Sequence, residues 1–296
     1  MLSGTLLLQS VLTGLTNGFV YALIGLGISV VFRGTKIINA MQGEFALVAG
    51  LVAFLALKTF EVPLVLAFLL GIVAGGFVGW FMEAFFISPA RLRGATDDTF
   101  LLVTLGVAFA ISAAVLYFFG RDNIPMPGLG GNGSLDFFDA VIRIHSVWLI
   151  VISVCVVALL MLFYHRTHLG LSMMAVSIDA DGASMTGISV PRMRMLTFLL
   201  GGAVGGLAGV LVAPLITVHY EMGLLLTLKG FAAAILGGLL NPSGAVIGGV
   251  VLGLIESIAV VTISSGYKDV ISMTTLIGIM ILMPNGILGS GGRRGG

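Results

Sequence analysis

Long apolar runs alternate with short polar breaks along the whole chain. Runs at about 6–31, 37–59, 62–86, 98–119, 147–164, 195–218, 244–263 and 270–285 mostly approach or exceed the ~20 residues that a helix needs to cross a hydrocarbon core. A further apolar piece, about 228–240, is too short to cross comfortably. It reads as a half-helix or a re-entrant segment buried in protein. The pattern predicts an all-α, polytopic membrane protein with about 8–9 transmembrane helices, one of them short or broken. These form a single transmembrane domain over 1–296. Two connections are long. Residues 120–146 are polar and rich in Gly and Pro, and 165–194 are charged; long loops in compact proteins tend to be functional.

Composition sharpens this picture. Of the 296 residues, 58% are hydrophobic and only 9% charged, against roughly 45–50% and 25% in soluble domains. A soluble fold could not cover so much apolar side chain, so a soluble enzyme and a disordered chain are excluded. A net charge of +1 gives no electrostatic case for a nucleic-acid partner. The single cysteine, Cys155, can form neither an internal disulfide nor a metal site alone. Met1 to Leu8 carries no Lys or Arg, unlike a signal peptide, and leads into the first span.

Basic residues set the orientation. With the N-terminus outside, Arg33, Lys36, Arg91, Arg93, Arg166, Arg192, Arg194, Arg293 and Arg294 all face the cytoplasm. Lys58, Arg121, Arg143, Lys229 and Lys268 then face out, provided that 228–240 crosses or nearly crosses. Loop 120–146 falls outside and loop 165–194 inside.

Four features carry chemical information. Asn39, Gln42 and Glu44 stand at the start of an apolar run, with Asn17 and Tyr21 in the stretch before it. A carboxylate at membrane depth is expensive and usually faces the bundle interior or water. Gly43 weakens the helix there. Two readings stay open: a broken helix start whose backbone groups line a cavity, or a Glu capping a helix and reaching headgroups. The second feature is small-residue spacing. Gly71, Gly75 and Gly79, Gly201, Gly205 and Gly209, and Gly249 and Gly253 recur every four residues, which favours close helix packing. Third, Glu256 lies deep in an apolar run and needs a partner or water, whereas Glu83 sits near a span end and is expected to snorkel. Fourth, Ser177–Ile188 reads as a short helix in the inner loop. Ala175, Ile178, Ala183 and Met185 would form its apolar side, and Asp179 and Asp181 its wet side. Such a helix can dock in a partner's groove; its acidity argues against its lying on the membrane.

The chain has no GxxxxGKS/T phosphate loop, no HExxH and no Cys/His cluster, so no ATP or metal is expected on this chain by those routes. His145, His165, His168 and His219 fall in loops or at span ends and read as interfacial. Transport is the class left.

Several ordered segments resemble a known family. NGFVYALIGLGISVVF followed by KIINAMQGEFALVAG, then LLVTLG at 101–106, LGLSMMAVSIDADGASMTGI, LKGFAAAILGGLLNPSGAVIGGVVLGLIES at 228–257 and MPNGILG at 283–289 are similar to the LivH-type permease subunits of branched-chain amino acid importers driven by ATP-binding cassettes. The match spans nearly the whole chain. Where the family usually has Phe-Ala-His-Gly, this chain has Ala40-Met41-Gln42-Gly43, and Met174-Ala175 replaces the usual Arg-Ala.

The resemblance implies a multi-pass subunit of the bacterial inner membrane. It would be paired with a second homologous permease or a copy of itself, with two cytoplasmic ATPases and with a periplasmic binding protein. ATP and Mg would sit on the ATPases, with no cofactor on this chain. Asp179, Ala180, Asp181, Gly182, Ala183, Ser184, Met185 and Gly187 correspond to the family's coupling helix. Relatives also carry urea, short amides and aromatic carboxylates, so these stand as alternative cargoes. A different class, an ion-coupled secondary transporter or channel using Glu44 or Glu256, would work without any ATPase.

Overall fold

The computed structural model describes residues 4–131, 133–137 and 140–262, and beyond them only 266, 270–271, 273–274, 277–278, 281 and 286–287. The span expected at 270–285, the 283–289 turn, and Arg293 and Arg294 lie wholly or largely outside the described residues.

The elements run α1 (Gly4–Thr35), α2 (Gln42–Thr59), α3 (Leu64–Met82), a π-helical turn (Glu83–Ile87), α4 (Ser88–Leu92), α5 (Asp97–Phe119), β1 (Ser134–Phe137), β2 (Ala140–Arg143), α6 (Ile144–Arg166), α7 (His168–Ile178), α8 (Ala180–Met185), α9 (Val190–Ile216), α10 (Met222–Gly237) and α11 (Pro242–Thr262). Among the described residues, seven helical stretches are long and apolar enough to cross a membrane, α3 and α4 counting as one stretch, Leu64–Leu92. The short piece begins at Met222, not near 228. Its 16 residues span about 24 Å, less than the ~30 Å of a hydrocarbon core.

Connectivity gives the bundle two ends. One holds the start of α1, the 120–143 connection and the α9–α10 link. Gln9 of α1 exchanges two hydrogen bonds with the backbone of Val141, at 3.0 and 2.8 Å. Ile124 and Val218 exchange two more at 2.9 Å. In this loop β1 and β2 form an antiparallel hairpin, a small addition to the expected helices. The opposite, basic end holds Arg33, Arg91, Arg166, Arg192 and Arg194, near the ends of α1, α4, α6 and α9.

Helix α1 is the axis. Every residue from Val20 to Val31 is buried, as expected of a helix apolar on all faces. Glycines let its neighbours approach. A Cβ on Gly18 would stand 2.8 Å from Val250 Cα in α11, and Cβ atoms on Gly249 and Gly253 would strike the backbone of Ala22 and Gly18. In the α3–α9 contact, a Cβ on Gly75 would lie 2.7 Å from both Gly202 O and Gly206 Cα, Gly79 faces Phe198 O, and Gly71 faces Ala49 O and Val210. Gly201 abuts Val31, Gly205 abuts Gln42 and Phe45, and Gly209 abuts the backbone of Ala46. Such contacts suit helices that gain mainly by van der Waals packing, since lipid already solvates apolar side chains. By contrast, α5 and α6 are peripheral, with Phe109, Tyr117, Val154 and Leu159 exposed. Cys155 is exposed on α6.

His145 departs from its interfacial reading. It is buried at the start of α6. Its Nδ1 accepts from Leu129 N at 3.0 Å, and its Nε2 lies 2.7 Å from Leu211 O in α9. A neutral ring protonated on Nε2 satisfies both contacts, so the ring stitches the 120–143 connection to the bundle. Replacing His145 with Ala leaves both backbone groups unpaired, at about 1–3 kcal/mol for each that stays buried. Faster limited proteolysis within 120–143 is the expected readout.

Candidate functional site

Two polar clusters lie inside the apolar bundle. The first is the break between α1 and α2, where Lys36 adopts φ 60° and helix resumes only at Gln42. Asn39, Gln42 and Glu44 are all buried. Freed backbone groups find side chains on other helices, as membrane depth requires. Ala40 N donates to Thr104 of α5 at 3.2 Å, and Gly43 N donates to Thr227 of α10 at 2.8 Å. Gly43 is needed here, because a Cβ would run into Gly223 O. Asn39 Nδ2 donates to Gln42 Oε1 at 3.1 Å, and Gln42 Nε2 donates to Gly201 O at 2.8 Å. Glu44 sits in the first turn of α2, where the helix dipole favours an anion. Ser112 donates to its Oε1 at 3.2 Å, and its Oε2 has no partner among the described residues. Glu44 thus faces the bundle interior and does not reach headgroups.

The second cluster joins α1, α10 and α11. Lys229, expected to face out at the start of the short piece, is buried in α10 and paired with Glu256 at 3.1 Å. Tyr21 Oη donates to Glu256 Oε1 at 3.2 Å and accepts from Lys229 Nζ at 3.3 Å. The Lys229 ammonium also lies 5.3 Å from the Tyr21 ring centroid, within cation–π range. Sequence reading found Glu256 and Tyr21 but missed Lys229. The available signal was the apolar MGLLLTL run just before it, which makes Lys229 an interior helical position.

A cavity of about 200 Å³ opens beside this triad. Its walls are largely apolar (Val20, Val212, Leu226), and Asn17, Tyr21, His219 and Lys229 supply polar groups. Above it, toward the hairpin, lies a wider cavity of about 380 Å³ lined by Gln9, Thr13 and Arg143. Asn17, Leu215 and Ile216 line both. Residues 9, 13, 17 and 21 follow one face of α1, so the face descends from the hairpin end to the ion pair. Asn39, Gln42 and Glu44 line neither cavity. Glu83 is buried too, not snorkelling. It sits on the π-helical turn, with Arg91 and Arg194 as its charged neighbours.

At the basic end the helix expected at 177–188 is two helices. Ser177 and Ile178 end α7, and the chain turns extended at Asp179, φ −146° and ψ 106°. Asp179 then caps α8, its Oδ1 accepting from Asp181 N and Gly182 N at 3.0 Å each. A short side chain that bonds its own backbone wins over helix continuation here. Gly187, φ 85°, follows the helix, leaving Ala180, Asp181, Gly182, Ala183, Ser184 and Met185 as one short helix. Ala183 is buried as its anchor, whereas Ile178 and Met185 are 84% and 88% exposed, so the residues expected on one apolar side do not share a face, and Ile178 ends α7 instead. Asp179→Ala removes the cap, about 1 kcal/mol, and faster amide exchange confined to 180–185 is expected.

The family described as branched-chain amino acid transport system permease component matches residues 10–280. The chain is 30% identical over 295 residues to the high-affinity branched-chain amino acid transport permease LivH of Escherichia coli K12, with 95% of each chain covered. It is 30% identical over 297 residues to BraD of Pseudomonas aeruginosa, again with 95% of each covered. It is also 27% identical to the autoinducer 2 import permease LsrC of Salmonella paratyphi B, over 72% of this chain and 60% of that one. No solved structure matches the chain.

Proposed function

The chain belongs to the branched-chain amino acid transport permease family, and from that premise we propose that it is the membrane subunit of an ATP-driven importer of branched-chain or other apolar amino acids. It is a transport subunit that crosses the membrane several times. In this reading the basic end faces the cytoplasm of a bacterium. Two ATPases bind there, with ATP and Mg on those chains. A second permease, homologous or identical, completes the pathway, and a periplasmic binding protein delivers cargo to the hairpin end.

The observation that carries the reading is α8. It is a short capped helix at the basic end, anchored through Ala183 while Ile178 and Met185 stand almost fully exposed. Apolar side chains presented this way suit a groove on a partner. Their exposure also makes them clean probes, since substitution touches little inside the chain. Ile178→Asp with Met185→Asp is expected to leave folding intact and to lower ATP-driven uptake at least about tenfold, equivalent to 1.4 kcal/mol of docking. The test is co-purification of ATPases with the tagged chain, followed by leucine uptake into proteoliposomes with ATP. Uptake without any ATPase, driven by an ion gradient, would overturn the importer and favour an ion-coupled carrier.

A further inference from the structure

Lys229 lines the cavity above the triad, whereas its partner Glu256 sits behind it and outside the lining. Lys229 and Tyr21 are thus on the cavity wall, and Glu256 is not. Its walls are apolar, and its volume of about 200 Å³ is below the ~300–1,000 Å³ of drug-sized pockets. On its wall lies His219, whose Nδ1 is buried with no hydrogen-bond partner among the described residues. An apolar chamber with convergent polar groups and one ammonium fits a small apolar molecule bearing a carboxylate.

We infer that this cavity binds the carboxylate of an apolar cargo. Lys229 Nζ is the charged contact, Tyr21 Oη the second donor, and Glu256 the counter-charge that holds Lys229 in place when the site is empty. Asn17 stands between the two cavities and meets the cargo first. Acid and amide of the same shape are thereby distinguished inside the permease itself. The assignment rests on the permease reading for its place in a pathway, but binding does not depend on any ATPase.

The test uses the purified chain with whatever subunits accompany it, and thermal unfolding titrations with leucine, 4-methylpentanoate and leucinamide. Both carboxylates are expected to stabilise the protein, at concentrations at least about tenfold below those at which leucinamide does so. Equal effects of acid and amide, or no effect of any probe, would overturn the site. Lys229→Gln with Glu256→Gln removes both charges together and is expected to abolish the preference; a retained preference would overturn the assignment. Should that pair fail to accumulate, Tyr21→Phe keeps the ion pair and is expected to weaken carboxylate binding several-fold, and unchanged binding would equally sink it. Failure of the importer reading shows separately, as absence of ATP-driven uptake by the wild-type assembly.

Discussion

Lys229→Met is expected to prevent accumulation of folded protein, and adding Glu256→Gln is expected to restore much of it. The single change takes away the ammonium paired with Glu256 at 3.1 Å, and Glu256 is buried at 1% exposure. Removing one partner of a buried pair costs about 3–5 kcal/mol, and a carboxylate at membrane depth is expensive in its own right. The double change removes both desolvation costs, and neutral replacements for a buried pair are often tolerated. Folded yield after mild detergent extraction, read by size-exclusion profile, checks both variants. Equal yields for the single and double changes would mean that the pair contributes nothing to folding.

Gly249→Leu is expected to be as damaging for a different reason. No charge is involved; the new Cβ would fall on the Ala22 backbone, and backbone cannot swing aside as a side-chain tip can. Overpacking costs typically 1–3 kcal/mol where a core can shift. Here α1 is enclosed along the whole stretch from Val20 to Val31 and has nowhere to move. Loss of the folded peak is expected. Gly106, exposed on α5 with nothing among the described residues within 4 Å of its Cβ, supplies the control: Gly106→Leu is expected to change yield little.

The contrast between these glycines shows how far the sequence could be read. Spacing of four marks Gly71, Gly75 and Gly79 as a stripe on a helix, because helical period is a local property. It does not name the partner, and α9 answers that stripe only through tertiary arrangement. The long spans were legible for the same reason, since about 20 apolar residues have one economical conformation in a membrane. Lys229 was misplaced because a charge in an apolar run reads as a boundary. The approach of Glu256, 27 positions on, with Tyr21 of α1 beside it, makes an interior position tolerable. His145 was misread similarly: its partners Leu129 and Leu211 offer backbone atoms, which leave no mark on sequence. The Asp179 break was legible in principle, since Asp with Gly182 three residues on favours a new cap over continuation. One apolar side was expected to hold Ala183 with Ile178 and Met185, but the Asp179 break puts Ile178 on α7 and leaves only Ala183 buried.

The enclosure of α1 also bears on how the chain is made. Its first helix holds Tyr21, whose hydroxyl is bonded to Glu256, 235 positions later, and Gly18 meets Val250 and Gly249. At about 5–20 residues per second, synthesis leaves on the order of 10–50 s between release of the first segment into the bilayer and arrival of its last neighbours. During that interval the Tyr21 hydroxyl waits for Glu256, and Gly18 for the backbone it packs against. Truncation upstream of Pro242 would thus leave the glycine face of α1 without the helix it packs against, so the packing of the first helix is completed only when α11 arrives.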